Sequence, residues 1–71
     1  MLAYHMIAER FHSPELGEYD TYSIVCYRDG EPQFKISDVG CDKEFVQHIV
    51  NQLNEQGVAP CHVMDIINDS L

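Results

Sequence analysis

The residues with the most reactive side chains lie close together near the C-terminus: Cys61, His62 and Asp65. A thiol in the first turn of a helix feels the partial positive charge of the helix N-terminus, which favours the nucleophilic thiolate. Adjacent residues on a helix point in different directions, so Cys61 and His62 do not form a ready pair of nucleophile and base. His62 and Asp65 are three residues apart, which allows the carboxylate to orient the imidazole. We therefore expect Cys61 to be a small buried hydrophobic residue and His62–Asp65 to be a local structural pair. A small-molecule, metal-binding or thiol-based role for the three remains the alternative.

The other potential metal ligands are scattered. A tetrahedral zinc site would need the fold to gather residues that lack the tight ligand pairs of structural zinc sites, namely Cys41, His48, Cys61 and His62. His5 and His12 are seven residues apart in a stretch that we interpret as a strand, so they should point to opposite faces. The sequence also contains no glycine-rich phosphate loop, no nucleophile elbow and no recognisable catalytic pair of carboxylates. We predict no metal, no cofactor and no enzymatic activity.

The length of the chain indicates one domain, and its charge argues against binding to nucleic acids. Seventy-one residues suffice for one hydrophobic core, so we expect a single small domain over residues 1–71. Twelve acidic residues against four basic ones give a net charge of −8. Such a chain lacks the Lys and Arg with which proteins neutralise nucleic-acid phosphates, so we expect no nucleic-acid partner.

The cysteine count and the hydropathy pattern indicate the compartment. Three cysteines, an odd number without close spacing, fit a reducing environment better than a disulfide framework. The first residues lack the positive start and apolar stretch of a signal peptide, and no apolar run approaches membrane-spanning length. We therefore expect a cytoplasmic protein without membrane contact.

The residue types and the two-residue hydrophobic period of the first forty residues are typical of β-strands. Strand-forming residues predict strands at about 2–12, 19–28 and 32–39. Asp29-Gly30 tolerates positive φ at both central positions of a type I′ turn, which predicts a tight hairpin between the second and third strands. In the third strand, Phe34 and Ile36 should face inward.

After Gly40 the hydrophobic period changes from two to 3.6, which predicts helices at about 42–55 and 60–70. Asp42 should cap the first helix, and Gly57 should follow its C-terminus in the left-handed conformation. Pro60 suits the first position of the second helix, whose apolar side would include Leu71. Two helices joined by a short loop should pack together on one face of the sheet. The predicted fold is α+β, a three-stranded antiparallel meander followed by two helices (β-β-β-α-α) in two layers.

Helices on one face would leave the other face of the sheet uncovered, although the strands carry apolar or aromatic residues at both parities. Tyr19, Val25 and Tyr27 are then left over as a possible interaction surface. Our leading hypothesis is a small non-enzymatic module that binds another protein or itself through this face, an unpaired strand edge or its acidic helices.

Several segments also resemble a known family. They are Tyr22-Ser23-Ile24-Val25, Phe45-Val46, Leu53-Asn54, and Ala59-Pro60-x-His62-x-x-Asp65-Ile66-Ile67-x-Asp69 leading into Leu71. In these the chain resembles a family of very short uncharacterised bacterial proteins, found mainly in anaerobic Gram-positive bacteria and classified only as a domain of unknown function. Members often have Ser where this chain has Ala59, so a capping hydroxyl is missing here and the second helix should begin more loosely. The resemblance implies a cytoplasmic bacterial origin, and it assigns no activity and no functional residue.

Overall fold

A computed structural model describes residues 1–70, with all side chains except those of Pro60 and Ser70. Three strands form one antiparallel sheet in the order β1-β2-β3, and two helices follow. The elements are β1 (Leu2–Ser13), β2 (Gly17–Arg28), β3 (Glu31–Gly40), α1 (Lys43–Gln56), a 3₁₀ turn (Pro60–His62) and α2 (Val63–Ser70). The predicted α+β meander with two helices packed on the sheet is confirmed. Leu71 lies outside the described residues.

Both hairpin turns are set by local chemistry. At the first, Ser13 pairs with Gly17, and the Ser13 hydroxyl accepts hydrogen bonds from the backbone N–H groups of Glu15 and Leu16. The loop is therefore shorter than the sequence suggested, and β2 begins at Gly17 rather than near residue 19. At the second, Asp29 and Gly30 have φ of 52° and 84°, as the predicted type I′ turn requires.

The pairing of β2 with β3 contains an irregularity that the sequence analysis did not predict. Tyr22 lies opposite Gly40 and Ile24 lies opposite Ile36, so two steps along β2 correspond to four steps along β3. The extra residues form a bulge in which Asp38 has a left-handed φ of 54°. Bulges re-aim side chains, and this one turns Asp38 towards β2.

The boundaries of α1 are those that the sequence predicts. The Asp42 carboxylate accepts hydrogen bonds from the backbone N–H groups of Glu44 (3.0 Å) and Phe45 (3.3 Å). Gly57 follows the helix with φ of 58°, and its N–H donates to the carbonyl oxygen of Asn54. The second helix differs from its prediction, because Pro60 begins a 3₁₀ turn and the α-helix proper begins only at Val63.

The core lies between the helices and one face of the sheet. Its buried residues are Tyr4, Ile24 and Cys26 from the strands and Val46, Ile49, Val50, Leu53, Val63 and Ile67 from the helices. Phe34 and Ile36 pack against this cluster, which confirms their inward orientation. Along the first hairpin, the residues that pack against the core end at Met6 in β1 and begin again at Tyr22 in β2.

The first hairpin extends past the core. A twelve-residue strand spans roughly 40 Å, whereas a fourteen-residue helix spans about 21 Å. The pairing with β3 also ends at Tyr22. Residues 8–13 and 17–21 therefore form a two-stranded part of the sheet, which we call the ribbon; at its base, side chains of Glu9, Tyr19 and Thr21 still bond to β3.

Candidate interaction surface

The face of the sheet opposite the helices is here called the open face. Side chains alternate along a strand, so with Tyr4 and Ile24 facing the helices the open face carries the odd-numbered residues of β1 and β2. These are Ala3, His5, Ile7, Glu9 and Phe11 in β1 and Tyr19, Thr21, Ser23, Val25 and Tyr27 in β2, with Lys35 of β3 beside Val25. The face is thus lined by aromatic, aliphatic and polar residues from all three strands.

All three residues of the predicted interaction surface lie on the open face, but they are not equally accessible. Tyr19 and Tyr27 are half-buried, whereas Val25 is only 8% exposed. Val25 lies on the central strand between His5 and Lys35, so its neighbours on both sides cover it. The idea that Val25 offers free apolar surface is therefore wrong, and the accessible aromatic residues lie towards the ends of the face.

The centre of the open face is a hydrogen-bonded polar network. The buried hydroxyl of Ser23 donates to a carboxylate oxygen of Glu9 and accepts from the backbone N–H of Asp38 (3.1 Å). The other Glu9 oxygen accepts a bond from Lys35 Nζ at 2.8 Å. The Lys35 ammonium, followed by the Ser23 hydroxyl, lowers the pKa of Glu9. One carboxylate thus links all three strands.

Asp38 at the bulge forms the second half of the network. Its carboxylate accepts hydrogen bonds from the hydroxyl groups of Thr21 (2.7 Å) and Tyr19 (3.0 Å). The bond to Asp38 raises the pKa of Tyr19, because the neighbouring carboxylate disfavours a phenolate. Asp38 was not predicted to be a functional residue, and its signal in the sequence is weak: a turn-favouring residue late in a strand, two positions before Gly40.

Aromatic contacts mark both ends of the open face. His5 and Tyr27 form an edge-to-face pair with ring centroids 5.3 Å apart, and Phe11 and Tyr19 form a tilted pair at 6.2 Å. A shallow pocket of about 330 Å³ adjoins the first pair and is lined by Met1, Ala3, His5, Tyr27 and Gly30. The second pair lies on the ribbon.

The outer edge of β1 is partly occupied by a side chain of α1. Asn54 accepts a hydrogen bond from the backbone N–H of Tyr4 (2.8 Å) and donates one to the Tyr4 carbonyl (2.9 Å). The Tyr4 hydroxyl donates to the carbonyl of Val58 at 2.7 Å, and burial raises the pKa of this phenol to about 12. Asn54 therefore binds the strand edge as another strand would.

The reactive residues near the C-terminus are arranged differently from the expectation. Cys61 is exposed, so the expectation of a buried Cys61 is wrong, and Cys26 is the buried thiol. The reason is that Cys61 lies in the 3₁₀ turn, while Val63 and Ile67 take the buried positions. His62 Nδ1 lies 3.8 Å from Asp65 Oδ2, which confirms the expected pair; both side chains are largely exposed.

Within residues 1–70, no group of three or more His, Cys, Asp or Glu residues is placed to hold a metal ion. The four residues considered for zinc, namely Cys41, His48, Cys61 and His62, are thus not gathered into one site. His5 faces the open side of the sheet and His12 the other side, as their spacing predicts.

The comparisons with known proteins decide the family. A model described as a family of unknown function, DUF6514, matches residues 1–71. The chain belongs to this family. No curated protein and no solved structure gives a match. The sequence-based resemblance to an uncharacterised family is confirmed, and DUF6514 brings no assigned activity with it.

The segments that suggested a family have clear structural roles in this DUF6514 protein. Val46 and Leu53 are fully buried, and Asn54 binds β1. Where Ala59 lacks a capping hydroxyl, its backbone carbonyl accepts the N–H of His62 (2.9 Å) and so starts the 3₁₀ turn. In the part of this DUF6514 chain that the structure describes, no helix is long and apolar enough to cross a membrane.

Proposed function

We propose that this protein is a small non-enzymatic interaction module of the bacterial cytoplasm, which binds another protein or a second copy of itself through the open face and the ribbon. The observation that carries the proposal is the ribbon. It extends past the core, it holds the Phe11–Tyr19 pair, and its backbone pairs in two strands only, an arrangement that contributes little stability by itself in water. Binding to a partner would cover it.

Charge favours a protein as the partner. The chain has a net charge of −8, and two cations of these surfaces, Arg10 and Lys35, are already paired. Arg10 Nε lies 3.0 Å from Asp20, and Lys35 Nζ lies 2.8 Å from Glu9. Little positive charge is therefore left for phosphate groups.

Site-specific photo-crosslinking tests the proposal. A photoreactive phenylalanine analogue at Phe11 on the ribbon should crosslink in cells to one defined protein species, either a partner or a second copy. The same analogue at His48, which is exposed on α1, is the matched control and should give no such species. Equal crosslinking at both positions, or none at Phe11, would contradict the proposal.

A thiol-based, small-molecule or metal-binding role is a second candidate. The exposed Cys61 thiol and the contact between His62 and Asp65 support it. Alkylation of the protein over a range of pH tests it, with the exposed Cys41 as the internal reference. The candidate requires Cys61 to react at lower pH than Cys41, or zinc to copurify. Equal reactivity together with no zinc rules it out.

A further inference from the structure

The β1 edge presents a defined set of unpaired backbone groups. In an antiparallel pair, residues alternate between those that bond to the neighbouring strand and those that point away from it. The register of β1 with β2 is unbroken, and the Tyr4 N–H and C=O point outward to Asn54. The outward residues after Tyr4 are therefore Met6, Ala8, Arg10 and His12. Among residues 1–70, no hydrogen bond is found for their backbone N–H and C=O groups.

The charge along this edge favours a second copy as the occupant. From Met1 to Pro14 the chain has one acidic residue, Glu9, and one basic residue, Arg10, although the whole chain has a net charge of −8. Glu9 is paired with Lys35, and Arg10 is paired with Asp20. A basic partner would therefore gain little at β1 itself, where a second copy would meet no unpaired charge of that strand. The repulsion that two copies must overcome comes from the net charge of −8 on each.

The residues at the edge select one two-fold register. A symmetry axis at Ala8 would place His12 against Tyr4 of the second copy, where Asn54 already occupies the edge. An axis at Arg10 would place Met6 against Pro14, which has no N–H.

An axis at Glu9 avoids both conflicts. It pairs Met6 with His12 and Ala8 with Arg10, so all four outward residues are used. Tyr4, whose groups Asn54 holds, then faces Pro14, where the strand has ended. On the open face this register places Ile7 beside Phe11 of the second copy. The two Glu9 carboxylates face each other, which opposes the pairing, and the Lys35 ammonium that each keeps at 2.8 Å offsets part of their repulsion.

We propose that two copies of this chain pair antiparallel through the β1 edge from Met6 to His12, about a two-fold axis at Glu9, to form one continuous six-stranded sheet. This inference rests on the proposed function and names the partner. Each copy would place its ribbon against the edge of the other, which covers the segment that the core of its own chain does not reach.

Sedimentation equilibrium of the full chain from micromolar to millimolar concentration tests the pairing. We expect a monomer–dimer equilibrium that tightens with added salt, because salt screens the repulsion between two acidic molecules. Ala8→Pro removes an outward N–H that is not used within the monomer, and it should raise the Kd by about tenfold or more. Ala8→Ser keeps the N–H and is the matched control, with circular dichroism to show that both variants fold.

Cysteine crosslinking tests the register. In a background with Cys41→Ser and Cys61→Ser, Glu9→Cys should form a disulfide-linked dimer under mild oxidation, since the two introduced thiols would meet at the axis. Ile7→Cys, in the same background, should not do so, because it would face Phe11 of the second copy. Efficient crosslinking through Ile7→Cys with none through Glu9→Cys would overturn the register.

The outcomes separate this inference from the proposed function. A monomer at all concentrations, or a dimer unaffected by Ala8→Pro, overturns the pairing. If the Phe11 photo-crosslink then captures a different protein, the interaction module stands while the self-pairing fails.

Discussion

At the residue scale, Asn54 joins the helical half of the chain to the edge of β1. Its carboxamide makes two hydrogen bonds to the backbone of Tyr4, fifty residues away. Because an amide both donates and accepts, it satisfies both groups of an edge residue that faces no strand. Few substitutions can reproduce that pair of bonds.

We predict that Asn54→Ala lowers the free energy of unfolding by about 1–3 kcal/mol, since it leaves two backbone groups of a largely covered residue without partners. Urea denaturation measures the change. Asn51→Ala is the control, because the Asn51 side chain accepts a hydrogen bond from Gln47 on the exposed surface of α1, and its loss should cost about 0.2–0.5 kcal/mol. Equal effects of the two substitutions would show that the contact with Tyr4 is not stabilising.

The Glu9 network predicts how stability depends on pH. The pKa of Glu9 is lowered in the folded protein, so its contribution is fully present above the unfolded value near 4.5 and is lost as the pH falls through the lower folded value. Glu9→Gln should therefore be less stable than the natural protein at neutral pH, and the difference should shrink below pH 4.5. Thermal melts across this range measure it, and a gap that widens on acidification would contradict the assignment.

At the element scale, the caps of α1 show why its boundaries were predictable from sequence. Asp42 and Gly57 act on backbone groups within a few residues, so their roles follow from residue type and spacing. The change of hydrophobic period at Gly40 is equally local. By contrast, the Asp38 bulge depends on Thr21 and Ser23 of another strand, and its own segment specifies it only weakly.

We predict that Asp42→Ala destabilises the protein by about 1 kcal/mol, because two N–H groups at the start of α1 lose their acceptor. Asp42→Ser keeps an oxygen in reach of the same groups and should retain most of the stability. Chemical denaturation of the three proteins gives the ranking. A serine variant as unstable as the alanine variant would argue against capping.

Amide hydrogen exchange should differ between the two edges of the first hairpin, because β2 is paired with β3 and the outer edge of β1 is not. The amides of Ile24 and Cys26 point to β3 at the centre of the sheet, so we expect them to be among the most protected. The amides of Ala8 and Arg10 point away from β2 and should exchange rapidly in dilute solution. NMR-detected exchange resolves them individually, and protection of Ala8 equal to that of Cys26 at low concentration would contradict the edge assignment.

At the scale of the whole molecule, the hydrophobic core covers only part of the sheet: it ends at Met6 in β1, whereas the strand continues to Ser13. The two-layer arrangement followed from the sequence, because two amphipathic helices have one apolar surface on which to pack. The candidate surface was only partly predictable. Tyr19 and Tyr27 lie on the open face, as their positions in the strand pattern indicate. Val25 is buried because residues of both neighbouring strands cover it, which its own segment does not reveal. Cys61 is exposed because the α-helix begins only at Val63.

The small core should make the fold sensitive to cavities. Ile49 is fully buried, and we predict that Ile49→Ala costs about 2–5 kcal/mol, comparable to the roughly 3–5 kcal/mol that a core of this size supplies. Circular dichroism should show a largely unfolded chain. Met64→Ala removes a side chain at a position that is 50% exposed, and it should change stability by no more than about 0.5 kcal/mol. A folded Ile49→Ala protein with an unchanged melting temperature would refute the assignment of the core.

The bonds from Tyr4 to Asn54 and Val58 also bear on biosynthesis. Both hairpins are made by neighbouring segments, so they can form as soon as the first forty residues have left the ribosome. The outer edge of β1 at Tyr4 has no partner until residues 54 and 58 have been synthesised, at separations of 50 and 54 positions. The apolar side of the nascent sheet must therefore stay uncovered until α1 and the segment that follows it have been synthesised.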